Sequence, residues 1–291
     1  MSQRNRQSED RIVAVMGPTG AGKSTFIDRA TRQDGGTIGH GLRSFTNDIR
    51  TVRANHPIDG RPVVFVDTPG FDDTYKSDME ILTMIADWLV KTYKNKSNLT
   101  TIIYVHDITD SRMGGSERKS LLIFATLCGQ KAMPNVTIVT TKWNKVRIEE
   151  GIQREQELKA GYWKDMIDAG CGTAHFEGTY GSAWNIIGSL GNKNGAQVEL
   201  AHEIVHSKLP LNETQAGIAL DEDPKELNKS RKETARRLRG LARNQDNDQV
   251  VQELNEQWAE LDEKIRQTSR QLREIKTPFT RRVRLFFKGR S

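Results

Sequence analysis

Through the first two-thirds of the chain, short apolar runs alternate with stretches whose apolar residues recur at helical spacing. The runs at 11–16, 48–54, 62–67, 101–106, 136–141 and, more weakly, 174–177 predict strands. Helices are predicted to begin at Lys23, Ser77, Ser116, Ile148 and Ser182. The clearest lies over 79–90, where Ile81, Leu82, Ile85, Trp88 and Leu89 fall on one face. Strands alternating with helices to about residue 190 predict an α/β fold with a mostly parallel sheet. Residues 34–41 are rich in glycine and read as a mobile loop.

After Gly195 the pattern changes. Residues 197–208 look helical until Pro210, and from Pro224 onward the chain is charged with no strand signal. Val251, Leu254, Trp258, Leu261, Ile265, Thr268, Leu272 and Ile275 follow a 3-4 spacing, a heptad seam. Leu227, Leu238 and Leu241 suggest an earlier helix, but the polar run from Asn244 to Asp248 breaks the register. Two readings of 251–275 stand side by side: a helix or hairpin packed on its own domain, and a coiled coil that takes a partner. The expected organisation is a polar segment over 1–10, an α/β domain over 11–215, a helical extension over 216–277 and a basic tail over 278–291.

Composition narrows this only modestly. The 291 residues suit one such domain with an appendage. The net charge of +6 matters mainly for where it sits. From Lys264 to the end, Glu274 is the lone acid among many Lys and Arg residues. After Pro278, Phe279, Val283, Phe286 and Phe287 fall at helical spacing with Arg281, Arg282, Arg284 and Lys288 between them. Such a segment suits an anionic membrane surface, and equally a solvated tail. Nucleic acid is the weaker expectation, because no recognised binding module accompanies the charge. Cys128 and Cys171 fit no metal spacing and read as reduced thiols. The polar start of the chain does not read as a signal peptide, and no apolar stretch is long enough to span a bilayer. The expectation is a cytoplasmic protein, peripheral at a membrane if the tail binds one.

The chemistry begins directly after the first strand, with Gly17-Pro18-Thr19-Gly20-Ala21-Gly22-Lys23-Ser24-Thr25. This is a G-x-x-x-x-G-K-[ST] phosphate loop set between a strand and a helix. The glycines let backbone N–H groups point inward, and the helix adds its positive end. Lys23 is expected on the β- and γ-phosphates and the Ser24 hydroxyl on Mg²⁺. Asp67-Thr68-Pro69-Gly70 ends the third strand as a D-x-x-G arrangement, with Asp67 on Mg²⁺ through a water and the Gly70 N–H on the γ-phosphate. A threonine that closes over Mg²⁺ is expected between the two motifs. Thr46, just before the second strand, is the first candidate and Thr37 the alternative.

The motif that reads the base is expected after the fifth strand, where Thr141-Lys142-Trp143-Asn144 stands. In the usual [N/T]-K-x-D form the carboxylate accepts from guanine N1–H and the 2-amino group. The Asn144 amide has one acceptor oxygen and a donating nitrogen. It suits a carbonyl at C2, as in xanthine, and predicts weakened GTP binding with relaxed base choice. Ser182-Ala183-Trp184 resembles the loop whose backbone N–H reads guanine O6. Together these residues predict a P-loop NTPase G domain: a mostly parallel central sheet flanked by helices, followed by a helical, coiled-coil-like extension.

With these residues, and with His40-Gly41-Leu42, the run Phe71-Asp72-Asp73-Thr74 and Ile108-Thr109-Asp110-Ser111-Arg112-Met113, the chain resembles the septin-like branch of GTPases. Within it, the chain is most similar to the immunity-associated (AIG-type) GTPases and their fungal relatives. The resemblance covers about 10–215. It implies binding of GTP or GDP with Mg²⁺, slow hydrolysis and nucleotide-dependent homodimerisation. Phe71 stands where Ras-like proteins carry a water-positioning glutamine, and a phenyl ring cannot orient water by hydrogen bonding. In relatives a dimer partner can supply an arginine across the nucleotide, and Arg112 is the candidate for that role.

One competing motif is His202-Glu203-Ile204-Val205-His206, an H-E-x-x-H sequence. On a helix it would place two zinc ligands on one face, with Glu203 as base and a third ligand such as Glu222. The charged helical surroundings lack the strand and cleft that a zinc hydrolase needs. The expected function is a switch with slow GTPase activity. The contending reading is an assembly scaffold that binds GTP and hardly turns it over.

Overall fold

The computed structural model describes residues 10–32, 49–71, 76–95, 97–188 and 195–220. The chain divides into two compact units, 1–217 and 218–291, and nearly all of the described residues belong to the first. The heptad seam, the basic tail, Glu222, Thr37, Thr46, His40-Gly41-Leu42 and residues 72–74 lie outside the described residues.

The element order is β1 (Arg11–Met16), α1 (Lys23–Thr31), β2 (Arg50–Asn55), β3 (Pro62–Asp67), α2 (Asp78–Lys94), β4 (Asn98–Asp107), α3 (Gly115–Cys128), β5 (Val136–Thr141), α4 (Ile148–Ala160), α5 (Lys164–Asp168), β6 (Gly172–His175), α6 (Tyr180–Ile187), α7 (Glu199–Val205) and α8 (Gln215–Leu220). The six strands form one sheet in the order β2-β3-β1-β4-β5-β6. Every neighbouring pair is parallel except β2 with β3. The chain leaves β1 toward β3 on one side and returns to β4 on the other. The crevice at the carboxyl end of β1 is therefore the switch point where such sheets bind ligands.

Strand β1 is buried along its whole length, because helices cover both faces of the sheet. Val13 and Val15 pack with Phe26, Ile27, Phe65, Trp184 and Ile187 on the side of α1 and α6. On the other side Ile81, Leu82, Ile85 and Leu89 of α2 are buried, as the stripe predicts, while Trp88 is only half-buried. Helix α2 starts at a capping box, with Ser77 Oγ accepting from Glu80 N and Glu80 Oε2 accepting from Ser77 N. Several boundaries differ from the pattern. Strand β4 begins earlier, at Asn98. Strand β6 has the expected four residues but lies two positions earlier, over Gly172–His175. Helix α6 starts at Tyr180, because Thr179 is its cap and Ser182 is the third residue of that capping box.

His106, on β4, is buried edge-on against Trp163. Burial pushes its imidazole down from 6.5 to about 4. As pH falls the unfolded chain takes up the proton first. The stability that neutral His106 contributes is therefore complete above about pH 6.5 and lost progressively toward pH 4, on the order of 3 kcal/mol in all. Denaturant midpoints measured from pH 7 to pH 5 should fall less steeply in His106→Gln than in the wild type. Parallel slopes would refute this.

Candidate functional site

The phosphate loop takes a path open only to glycine at its two ends. Gly17 has φ +140°, and a Cβ there would stand 2.4 Å from the Val105 carbonyl oxygen of β4. Gly22 caps α1 at φ +102°. Between them the loop curls over the Lys23 ammonium, whose Nζ donates to the Gly17 oxygen at 3.1 Å and the Pro18 oxygen at 2.8 Å. Lys23 is 6 % exposed.

The parallel register that aligns Val15 with Asp67 brings the end of β3 beside the loop. Ser24 Oγ donates to Asp67 Oδ2 at 2.7 Å. This pair of hard oxygen donors at a helix N-terminus fits Mg²⁺, which takes few protein ligands and keeps its waters. Thr68 Oγ1 donates to the Val15 oxygen at 3.0 Å and holds the D-x-x-G turn against β1. Gly70 lies so close to the loop that a Cβ would meet the Thr19 nitrogen at 2.4 Å. Phe71 is buried, and its carbonyl accepts from the Thr19 N–H at 3.3 Å.

The base motif is tied to the same loop. Thr141 Oγ1 donates to the Ala21 oxygen at 2.7 Å. Lys142 takes a left-handed backbone conformation, φ 59°, which opens a short 3-10 turn over Trp143–Lys145. Its ammonium pairs with Asp107 at the end of β4. Burial raises the Asp107 carboxyl, but bonds from Lys142 and Thr109 outweigh this and hold it below the usual range. Arg154 of α4 donates to the Ile108 and Thr109 carbonyls at 3.0 and 2.9 Å, fixing the loop that carries Asp107. Trp143 stacks on His175 at 4.1 Å, and His175 Nε2 lies 2.8 Å from Glu155 Oε2.

These elements enclose a cavity of about 360 Å³ lined by Gly22, Thr25, Arg29, Thr141, Lys142, Trp143, Asn144, Phe176, Glu177 and Gly178. It continues from the phosphate loop to the base motif. Ser182 and Ala183 do not line it. Ser182 caps α6 through Thr179, and Ala183 is buried in the core beside Trp184. The wall assigned to them is made by Phe176, Glu177 and Gly178, which directly follow β6. Glu177 is the one acidic side chain among the lining residues, in a cavity whose base motif lacks its carboxylate. Arg112 is exposed in the loop between β4 and α3.

The H-E-x-x-H residues are directed elsewhere. Glu203 is buried, and both its oxygens accept from the Gln215 N–H at 3.1 and 3.2 Å. It braces the turn into α8, whereas His206 Nε2 lies 2.7 Å from the Tyr93 hydroxyl on α2. A base turned away from the histidine pair cannot activate water on a metal held there. Among the described residues no three His, Cys, Asp or Glu side chains converge on one metal position.

Residues 12–142 match the family model described as 50S ribosome-binding GTPase. No curated protein matches the chain in sequence. Among solved structures, Toc33 from Arabidopsis thaliana in complex with Mg²⁺ and GMPPNP is 18 % identical with a TM-score of 0.46, over 59 % of this chain and 72 % of that one. Era from Aquifex aeolicus bound to GDP and AlF₄⁻ is 17 % identical with a TM-score of 0.43, over 69 % and 57 %. The bacterial selenocysteine-specific elongation factor is 19 % identical with a TM-score of 0.43, over 61 % and 27 %. The fold is that of a P-loop GTPase.

Proposed function

We propose that this G domain binds GTP with Mg²⁺, hydrolyses it slowly and acts as a nucleotide-dependent switch through a homodimer. The observation that carries the reading is the continuous cavity from Gly22 and Thr25 to Lys142, Asn144 and Glu177. Lys23 and the loop N–H groups hold the β- and γ-phosphates. Ser24 and Asp67 hold Mg²⁺, with Thr46 as the further ligand. When bound, the ion offsets charge on the phosphate oxygens. Gly70 offers its N–H beside Thr19, where the γ-phosphate is expected.

Glu177 supplies the acceptor that Asn144 lacks. A carboxylate accepts from both guanine N1–H and the 2-amino group, and it opposes the C2 carbonyl of xanthine. The reading therefore shifts from the relaxed base choice that Asn144 alone predicts to selection of GTP over XTP.

The resemblance to AIG-type GTPases supports dimerisation, with Arg112 reaching the partner's nucleotide. Phe71 is 3 % exposed and leaves no side-chain hydrogen bond for the attacking water, so intrinsic turnover is slow. The same residue favours the second reading, a scaffold with negligible turnover. Single-turnover hydrolysis against protein concentration separates them. The switch reading expects the rate per molecule to rise with concentration, and Arg112→Ala to abolish the rise while leaving GTP affinity intact. A rate independent of concentration and unchanged in Arg112→Ala removes the dimer mechanism. No cleavage in the wild type leaves the scaffold.

A further inference from the structure

A second carboxylate, on a residue outside the known motifs, follows Ser24 along α1. Asp28 lies one helical turn after Ser24, on the same face of α1. It is 4 % exposed. Neither of its carboxylate oxygens has a hydrogen-bond partner among the described residues. Removal from water without a donor disfavours the ionised form strongly. Helix α1 packs on β3, and the charge of Asp67 reaches Asp28 and opposes it further, offset only in part by Arg29. Together these push the carboxyl up to about 6.

Such an arrangement is unfavourable in the empty protein. Ser24 and Asp28 stand one turn apart on the same face of α1, and α1 packs on β3, the strand that ends in Asp67. A divalent ion there reverses the balance, because it offsets the repulsion between the carboxylates and brings water whose hydrogens need acceptors. We propose that Asp28 is an outer-shell positioning residue of the divalent-cation site. Its carboxylate accepts from water on an ion held by Ser24 and Asp67, and couples ion binding to relief of the repulsion on α1. The inference rests on the reading of Ser24 and Asp67 as metal ligands. It adds a residue that the phosphate-loop and D-x-x-G motifs do not contain.

The test is a Mn²⁺ titration of the GDP-bound protein, followed by the loss of the free-ion electron paramagnetic resonance signal. Wild type, Asp28→Asn, Asp28→Leu and Ser24→Ala are compared, with melting temperatures in EDTA alongside. Both Asp28 variants should bind Mn²⁺ about tenfold more weakly, the usual size of an outer-shell loss. Without the ion both should melt higher than wild type, because the buried repulsion is gone. A purely structural role predicts the opposite change in melting temperature. Wild-type Mn²⁺ affinity in both Asp28 variants, with loss in Ser24→Ala, overturns the Asp28 assignment alone. Weaker Mn²⁺ binding with a lower ion-free melting temperature also overturns it. Absence of Mn²⁺ binding in the wild type overturns the metal reading itself.

Discussion

Lys23→Ala is expected to lower GTP affinity by about two to three orders of magnitude, as the loss of a desolvated charge contact implies. The ammonium is nearly buried and held under the loop by the Gly17 and Pro18 carbonyls. It is thus placed before any phosphate arrives, and little entropy is spent in aiming it. Truncating one partner of a desolvated, hydrogen-bonded charge pair costs about 3–4 kcal/mol, which corresponds to that range of affinity. Residual binding should survive, because the N–H groups of the loop and the start of α1 remain. Isothermal titration with GTP and Mg²⁺ measures it, with circular dichroism to confirm that the variant is folded. An affinity within about fivefold of wild type, under 1 kcal/mol, would remove Lys23 from the phosphate site.

Glu177→Gln should cost GTP about 10–100-fold in affinity and reverse the preference between GTP and XTP. The physical basis is the hydrogen-bond inventory of the cavity. Guanine presents two donors on one edge, and Glu177 is the one carboxylate among the lining residues. Hydrogen bonds to a charged group contribute about 1.5–3 kcal/mol. Glutamine keeps one acceptor and turns a donor toward the 2-amino group. Xanthine, with a carbonyl at C2, gains from that same donor. Asn144→Asp placed on the Glu177→Gln background should recover GTP, because the carboxylate then returns from the other wall. A panel of GTP, GDP, XTP and ATP against the wild type, both single variants and the double variant reads all of this. An unchanged ratio of GTP to XTP in Glu177→Gln would show that the residue does not touch the base.

The cavity wall made by Phe176, Glu177 and Gly178, with Ser182 and Ala183 outside it, marks where local patterning ran out. Strand β6 is four residues long, half-exposed, and has no apolar run to mark its end. Directly after it stands Phe176, whose ring meets Phe26 of α1 edge-on at 5.0 Å. That contact joins positions far apart in the sequence, and Glu177 and Gly178, which follow it, line the cavity. Ser182, chosen for its resemblance to a loop motif, is consumed by a capping box whose partner, Thr179, gave no strong signal beside it. Antiparallel β2 was equally hidden, since an alternating edge strand reads the same in either direction. Asp28 sits within a predicted helix. Its burial depends on α1 packing against β3, which helical periodicity does not reveal.

What the sequence alone determined is the class of fold and the glycine-rich turn between β1 and α1. A loop of this kind presents backbone N–H groups and a helix end, so its residues are contiguous from Gly17 to Thr25. Asp67 and Gly70 follow a strand that the apolar run makes legible. Two features were beyond it: Glu177 lines the cavity in place of Ser182 and Ala183, and Asp28 is buried without a hydrogen-bond partner one turn after Ser24. Both depend on elements brought together by sheet order and helix packing. A side chain's role there is set by what lies opposite it in space, which neighbours along the chain do not encode.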